Sequence, residues 1–312
     1  MPLKRKESLR QGLQRISEKR LRDTLQMMKG EGLTPESVHE ARKVVKSLRA
    51  VLRVARGALG RGARQTRNEI LRNFGHRFSS SRDAAVTLGA LERLCPLSLK
   101  GDHHPKGKPQ WATQLQQSLA MRAHATLPAN SYRDAIEQLR HLRGRLLPFE
   151  HGECRTGGSL HGDEWESTVA EGLQKTYRRG RRLVGQVAGA TEAVDKLWHE
   201  LRKRVKDLGY QLALLKKIKG VKPQLAKLEK VGSLLGDARD LNLLRDSLGK
   251  VPDKYELSRA ESESYQRLVS QVDQLRDRLH RRALELGQDA YRRGSKHFTR
   301  RLAKRWRRWK TG

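Results

Sequence analysis

The sequence predicts an all-α protein, on three observations. Strand signals are nearly absent. Leu, Arg, Ala, Glu, Gln and Lys dominate long windows in which apolar residues fall three and four apart, the period of a helix face. A decamer, His-Glu-Ala-Arg-Lys-Val-Val-Lys-Ser-Leu from His39, returns 160 residues later as His-Glu-Leu-Arg-Lys-Arg-Val-Lys-Asp-Leu from His199, with seven of ten positions identical. The chain is therefore read as an internal duplication of helical segments.

Ser8 to Met28 reads as the first helix, and Gly30, Gly32 and Pro35 break it. Thr34 as N-cap with Pro35 at the first helical position starts the second. There Val38, Ala41, Val45, Leu48, Leu52 and Ala55 form a seam at bundle spacing. His39, Arg42, Lys46, Arg49, Arg53 and Arg56 take the same steps displaced by one residue. One residue is about 100° of helix rotation, so this cationic stripe flanks the seam instead of facing away from it.

In the second copy the seam is Val194, Trp198, Leu201, Val205, Leu208, Leu212 and Leu215, flanked by His199, Arg202, Lys206 and Lys216. Gly209, Tyr210 and Ala213 interrupt that stripe. Two shorter repeats support the duplication: Arg82-Asp83 with Arg239-Asp240, and Tyr-Arg-Arg-Gly at Tyr177 to Gly180 and at Tyr291 to Gly294. From the His motif to Tyr-Arg-Arg-Gly is 138 residues in the first copy and 92 in the second. Extra material is thus expected in the first half, as Gly/Pro-rich loops from Cys95 to Pro109 and from Pro148 to Gly162. One domain is expected over residues 1–312, with a first repeat over 1–185, carrying insertions near 95–110 and 148–162, and a second over 186–312. Two readings are open for the stretch from Arg300 to Lys310: a basic arm for nucleic acid or a membrane surface, or a last bundle helix with Phe298, Leu302, Trp306 and Trp309 packed inward. The second is preferred.

Charge narrows the function. The chain holds 67 Lys and Arg against 34 Asp and Glu, a net charge of +33. Such a field repels itself and asks for an acidic partner, while 36% hydrophobic residues still allow a core. Cys95 and Cys154 make no disulfide framework or CxxC spacing, which points to a reducing cytosol. No apolar h-region follows the basic N-terminus, and no apolar run approaches the ~18 residues of a membrane span, so a soluble, unprocessed chain is expected. His103-His104 and the stretch from His161 to Glu164 lack a second ligand pair at fixed spacing, so no metal is expected. Without a P-loop, a dinucleotide fingerprint or a triad, no cofactor is expected either.

A linear polyanion needs closely spaced cations without a carboxylate of their own, and guanidinium groups that grip phosphate oxygens in bidentate fashion. Glu40, Glu200 and Asp207 are the only acids in the two decamers, so most cations there are expected to lack a local partner. His39 and His199 have three roles open to them: hydrogen bonding to phosphate, structural burial, and catalysis or metal ligation. Arg82-Asp83 and Arg239-Asp240 are read as structural, orienting a cation or capping a helix.

In this order and duplicated, the strings Val38-His39-Glu40-Ala41-Arg42-Lys43, Gly172 to Arg181, Leu197 to Lys206 and Leu235-Gly236-Asp237-Ala238-Arg239-Asp240 resemble the CHAD family, the α-helical domains named for their histidines. The resemblance spans about Pro35 to Trp309. It implies two four-helix bundles related by an approximate two-fold, with basic surfaces converging on a central groove or pore that binds inorganic polyphosphate at polyphosphate granules. Carried over by position, the ligand-facing residues are His39, Arg42, Lys43, Lys46, Arg49 and Arg53, then His199, Arg202, Lys203 and Lys206. Tyr177, Arg178, Arg181 and Arg182 join them, as do Arg292, Arg293 and Lys296, whose Tyr-Arg-Arg-Gly-Ser-Lys string is looser than its first-copy counterpart. The expected protein is a non-enzymatic binder, because phosphoryl transfer needs carboxylates to hold Mg²⁺. Nucleic acid, bound weakly, is the second partner class.

Overall fold

A computed structural model describes residues 1–28, 34–57, 59–77, 79–98, 109–124, 129–147, 165–190 and 195–311. These residues form eleven α-helices and no strand. His103-His104, Cys154, His161 to Glu164, Val194, Gly30 and Gly32 lie outside them, as do the 148–162 loop and most of the 95–110 loop. Cys95 itself is helical, because its helix runs on to Ser98, beyond the point where Pro96 signals a loop.

Local chemistry starts the first two helices. In α1 (Leu9–Met27) the Ser8 hydroxyl accepts from the Gln11 amide at 3.1 Å, and the Gln11 side chain accepts from the Ser8 amide at 3.0 Å, a closed capping box. In α2 (Pro35–Val54) Thr34 accepts from the Ser37 amide at 3.1 Å, as the Thr-Pro signature predicts. A 3₁₀ turn over Ala55–Gly57 ends α2. Next come α3 (Arg61–Arg77), α4 (Ser79–Ser98), α5 (Gln110–His124) and α6 (Ala129–His141). A π-helical turn over Glu166–Ala170 leads into α7 (Glu171–Ala188), followed by α8 (Asp195–Leu214), α9 (Lys222–Leu248), α10 (Arg259–Ala290) and α11 (Ser295–Thr311).

The chain forms two compact units, each drawing on both sequence halves. Unit 1 holds residues 1–77, 128–232 and 284–312, and unit 2 holds 78–127 and 233–283. Unit 2 packs α4 and α5 with parts of α9 and α10 around Trp111, Leu119, Leu244, Leu248, Leu268 and Val272. Tyr265 meets Trp111 edge-on at 5.8 Å and donates to the Leu248 carbonyl at 3.1 Å. The Arg82-Asp83 and Arg239-Asp240 strings both fall in unit 2.

Unit 1 is built on the two predicted seams. Ala41, Val45, Leu48, Leu52 and Ala55 of the first copy are buried, as are Trp198, Leu201, Val205, Leu208, Leu212 and Leu215 of the second. α2 packs against α8, and α7 packs against both. Between α7 and α8 the buried Gln211 amide donates to the Thr176 hydroxyl at 3.0 Å, which in turn donates to the Gly172 carbonyl at 3.0 Å. The last helix closes the core: Phe298 stacks on Tyr177 at 4.1 Å, and Trp306, 2% exposed, lies 5.6 Å from Trp165. The Arg300 to Lys310 stretch is thus a packed helix with cations on its outer side.

Gly172 sets how closely α7 crosses the end of α2. A Cβ there would lie 2.2 Å from the Arg53 carbonyl oxygen and 2.7 Å from that of Val54, and backbone cannot rotate away as a side chain can. Gly172→Ala is therefore expected to destabilise the protein by about 1–3 kcal/mol in urea unfolding. Gly185→Ala, on the same helix with nothing within 4 Å, should instead stabilise by roughly 0.5–1 kcal/mol. Equal outcomes at the two positions would remove the close crossing as the cause.

Candidate cationic site

The charge is distributed unevenly. By sequence, unit 1 carries 51 Lys and Arg against 22 Asp and Glu, a net +29, whereas unit 2 carries 16 against 12, a net +4. Every residue that the sequence proposes for ligand contact lies in unit 1.

The combs sit where the one-residue displacement put them, beside the seams of two packed helices. His39, Lys43 and Lys46 of α2 are exposed, as are Lys203 and Lys206 of α8, while His199 and Arg202 are half-buried. Arg42 departs from the expectation of an open comb: it is 9% exposed, tucked against the seam. The expectation that most cations of the decamers lack a local partner has local exceptions, Lys43, Lys203 and Arg204. Lys43 bonds Glu40 at 2.9 Å and Lys203 bonds Glu200 at 2.6 Å, because residues three apart meet on a helix. Burial is small at both pairs, so they hold the ammonium groups loosely.

At the α2 C-terminus the stripe enters a denser cluster. Arg53 donates to Asp207 Oδ1 at 2.9 Å and Arg204 donates to Asp207 Oδ2 at 3.2 Å, so one carboxylate of the second decamer bridges both helices. Arg49 donates to Asn68 on α3 at 3.0 Å. Burial first, then the like charges of Arg53, Arg72 and Arg204 against the single charge of Asp207, pushes the Arg49 guanidinium down to about 10. Arg64, Lys175 and Arg179 are lowered as well, by burial foremost and then by neighbouring cations that include Arg56 in each case. Arg56 itself bonds Glu171 at 3.1 Å.

Arg56, Arg64, Lys175, Arg179 and Arg204 thus complete a cluster that the sequence proposal did not include. Arg56 continues the α2 stripe and Arg179 falls inside the first Tyr-Arg-Arg-Gly, so both carried a signal. Arg64 and Lys175 become neighbours only through packing. On α7, Arg178, Arg181 and Arg182 are exposed as expected, and among the described residues no carboxylate pairs with them.

Tyr177 is a correction. It is 1% exposed, with its ring stacked on Phe298 and lying 5.1 Å from Tyr291, and its hydroxyl donates to the Ala290 carbonyl at 3.5 Å. The tyrosines of the two Tyr-Arg-Arg-Gly strings therefore belong to the core of unit 1, and the Tyr291 ring fills the space above Gly180.

Arg292 and Arg293 are exposed between α10 and α11, and Lys296 is exposed in the first turn of α11. Arg292 and Arg293 do not join the α2–α8 cluster. They line a cleft of about 170 Å³ in unit 1 together with Lys227, Asp289, Arg301 and Arg305. At its edge Gly220, in the left-handed region at φ +78°, turns the chain from α8 toward α9 and presents its carbonyl to Arg305 at 3.2 Å.

Among the described residues, no group of three or more His, Cys, Asp or Glu is placed to hold a metal ion, and no helix is long and apolar enough to cross a membrane. An all-helical chain with paired cationic helices beside its seams is the class that the fold and site define. The family model for the CHAD domain matches residues 15–249, and the chain belongs to that family. No curated protein matches the chain.

Proposed function

We propose that this CHAD protein is a non-catalytic receptor for inorganic polyphosphate, acting in the cytoplasm and held at polyphosphate granules. The observation that carries the reading is the packing of α2 on α8 within a unit of net charge +29, which brings the two comb copies onto neighbouring helices. Cations that depress one another, as around Arg49, are stabilised by an anion laid across them. Binding releases the counterions of the polyanion, which supplies much of the free energy. We also read α2 and α8 as equivalent members of two four-helix bundles related by an approximate two-fold. The repeated decamer and the Tyr177–Tyr291 contact support this.

Aromatic placement favours polyphosphate over nucleic acid. Sequence-tolerant single-strand binders stack bases on exposed rings, each worth about 1–3 kcal/mol. Among the described side chains of this protein no aromatic is exposed. Polyphosphate should therefore displace single-stranded DNA or RNA of equal total charge, at equal salt, with at least about a tenfold advantage in competing concentration, or roughly 1.4 kcal/mol. A competition titration at fixed salt checks this, and parity between the ligands would turn the reading toward nucleic acid.

A further inference from the structure

The cleft beside Gly220 is chemically distinct from the combs. It gathers five cations, Lys227, Arg292, Arg293, Arg301 and Arg305, and one carboxylate, Asp289, which Lys227 already holds in an ion pair. Arg292, Arg293 and Arg301 are exposed at the mouth, and no described carboxylate pairs with Arg293, Arg301 or Arg305. The Arg305 guanidinium is tethered to the Gly220 carbonyl, which fixes it at the rim. Its pKa is lowered by burial and then by Arg301 and Arg293, so these groups converge closely enough to oppose one another. Apolar residues, Phe298 and Leu302 among them, form part of the lining, and a less polar wall strengthens any charge pairing made there.

Size and charge select the ligand. A cavity of roughly 150 Å³ accommodates a benzene-sized molecule, so this cleft takes a compact anion and cannot enclose a polymer. Arginines around a small opening match phosphate oxygens in fork geometry. A terminal phosphate carries a second ionisable oxygen, deprotonated above a pH of about 6 as in a phosphate monoester, whereas an internal phosphate of a chain carries one. We infer that the cleft lined by Arg293, Arg301 and Arg305 is a site for a terminal diphosphate group, supplied by free pyrophosphate or by the end of a polyphosphate chain. The second source rests on the proposed function; the first does not.

Calorimetric titration of the full chain with inorganic pyrophosphate, at pH 8 and about 0.15 M salt, tests the site. One saturable site is expected. Arg301→Glu should lower its affinity at least tenfold, and since Arg301 is exposed the fold should survive, as circular dichroism would verify. Lys46→Ala combined with Lys206→Ala should change pyrophosphate affinity less than twofold. A second arm compares long polyphosphate with chains whose ends are capped as neutral alkyl phosphoramidates. Weaker binding of capped chains to the wild type, with the difference gone in Arg301→Glu, identifies the chain end as the source. Equal binding of capped and uncapped chains, with pyrophosphate still seated in the cleft, identifies free pyrophosphate. The inference is overturned if pyrophosphate shows no saturable site, if Arg301→Glu leaves its affinity intact, or if the Lys46/Lys206 variant loses it equally. Long chains that bind while pyrophosphate does not would overturn this site alone, and the reverse would overturn the comb reading alone.

Discussion

Replacing Lys43, Lys46, Lys203 and Lys206 together by Ala is expected to weaken binding of long-chain polyphosphate at least a hundredfold, about 2.7 kcal/mol. All four are exposed, so the loss arises at the surface and not through unfolding. The loosely held Glu40 and Glu200 pairs cost little to exchange for phosphate, because exposed ion pairs are worth about 0–1 kcal/mol. Each lost contact also removes a released counterion, so the slope of log affinity against log salt should flatten by about 3, taking roughly 0.7 per contact as for single strands. Removing only the α2 pair or only the α8 pair should give intermediate losses. Undiminished affinity after loss of Lys203 and Lys206 would mean that the second comb does not take part. Helix content and melting temperature measured alongside should change little in all three variants.

Asp207→Asn is expected to destabilise unit 1 by about 2 kcal/mol in urea unfolding, between the values for removing one partner of an exposed and of a buried pair. Asp207 is 14% exposed and accepts from Arg53, 26% exposed, and from Arg204, 21% exposed. Without its charge, Arg49, Arg53 and Arg72 would face one another across the cluster, while Arg204 would keep its bond to Glu200 at 3.1 Å. The charge on Arg49 is already a cost in the wild type. Its pKa in the fold is below the unfolded value, so the cost is full below a pH of about 10 and fades as the pH rises through that value. An added polyanion should restore more melting temperature to Asp207→Asn than it adds to the wild type, because it supplies the missing charge. The exposed pair offers the control, since Glu40→Gln should change stability by no more than about 0.5 kcal/mol. A loss below about 1 kcal/mol at Asp207, or no differential rescue, would show that the arginines are accommodated without it.

Local patterns were legible wherever one helix suffices to define them. The seams of α2 and α8 follow from apolar spacing, and the Thr34 cap follows from a side chain that reaches its own backbone. The displacement of the stripe by one residue located the combs, since helix rotation is fixed by geometry. The Lys43–Glu40 and Lys203–Glu200 pairs were equally local, and the i,i+3 rule predicts them. Tyr177 was carried to the ligand by the family resemblance, which says nothing of packing, whereas Gly180 one turn later leaves the space into which Tyr291 packs. Arg64 and Lys175 could not be found from spacing, since they approach Arg56 from helices separated by about a hundred residues of chain. The division into two units was hidden for the same reason: α9 and α10 each contribute to both, and no composition shift marks residues 232 or 283.

The discontinuity of unit 1 bears on the order in which the protein can mature. Trp165 finds Trp306, and Tyr177 finds Phe298, only after α11 has left the ribosome, more than a hundred residues after their partners. Until then α2 and α8 can pair, but the aromatic layer beneath α7 stays open to water. Contacts of such long sequence separation pay their loop-closure entropy late and slow the final step. The aromatic layer of unit 1 can therefore close only once α11 is available to it.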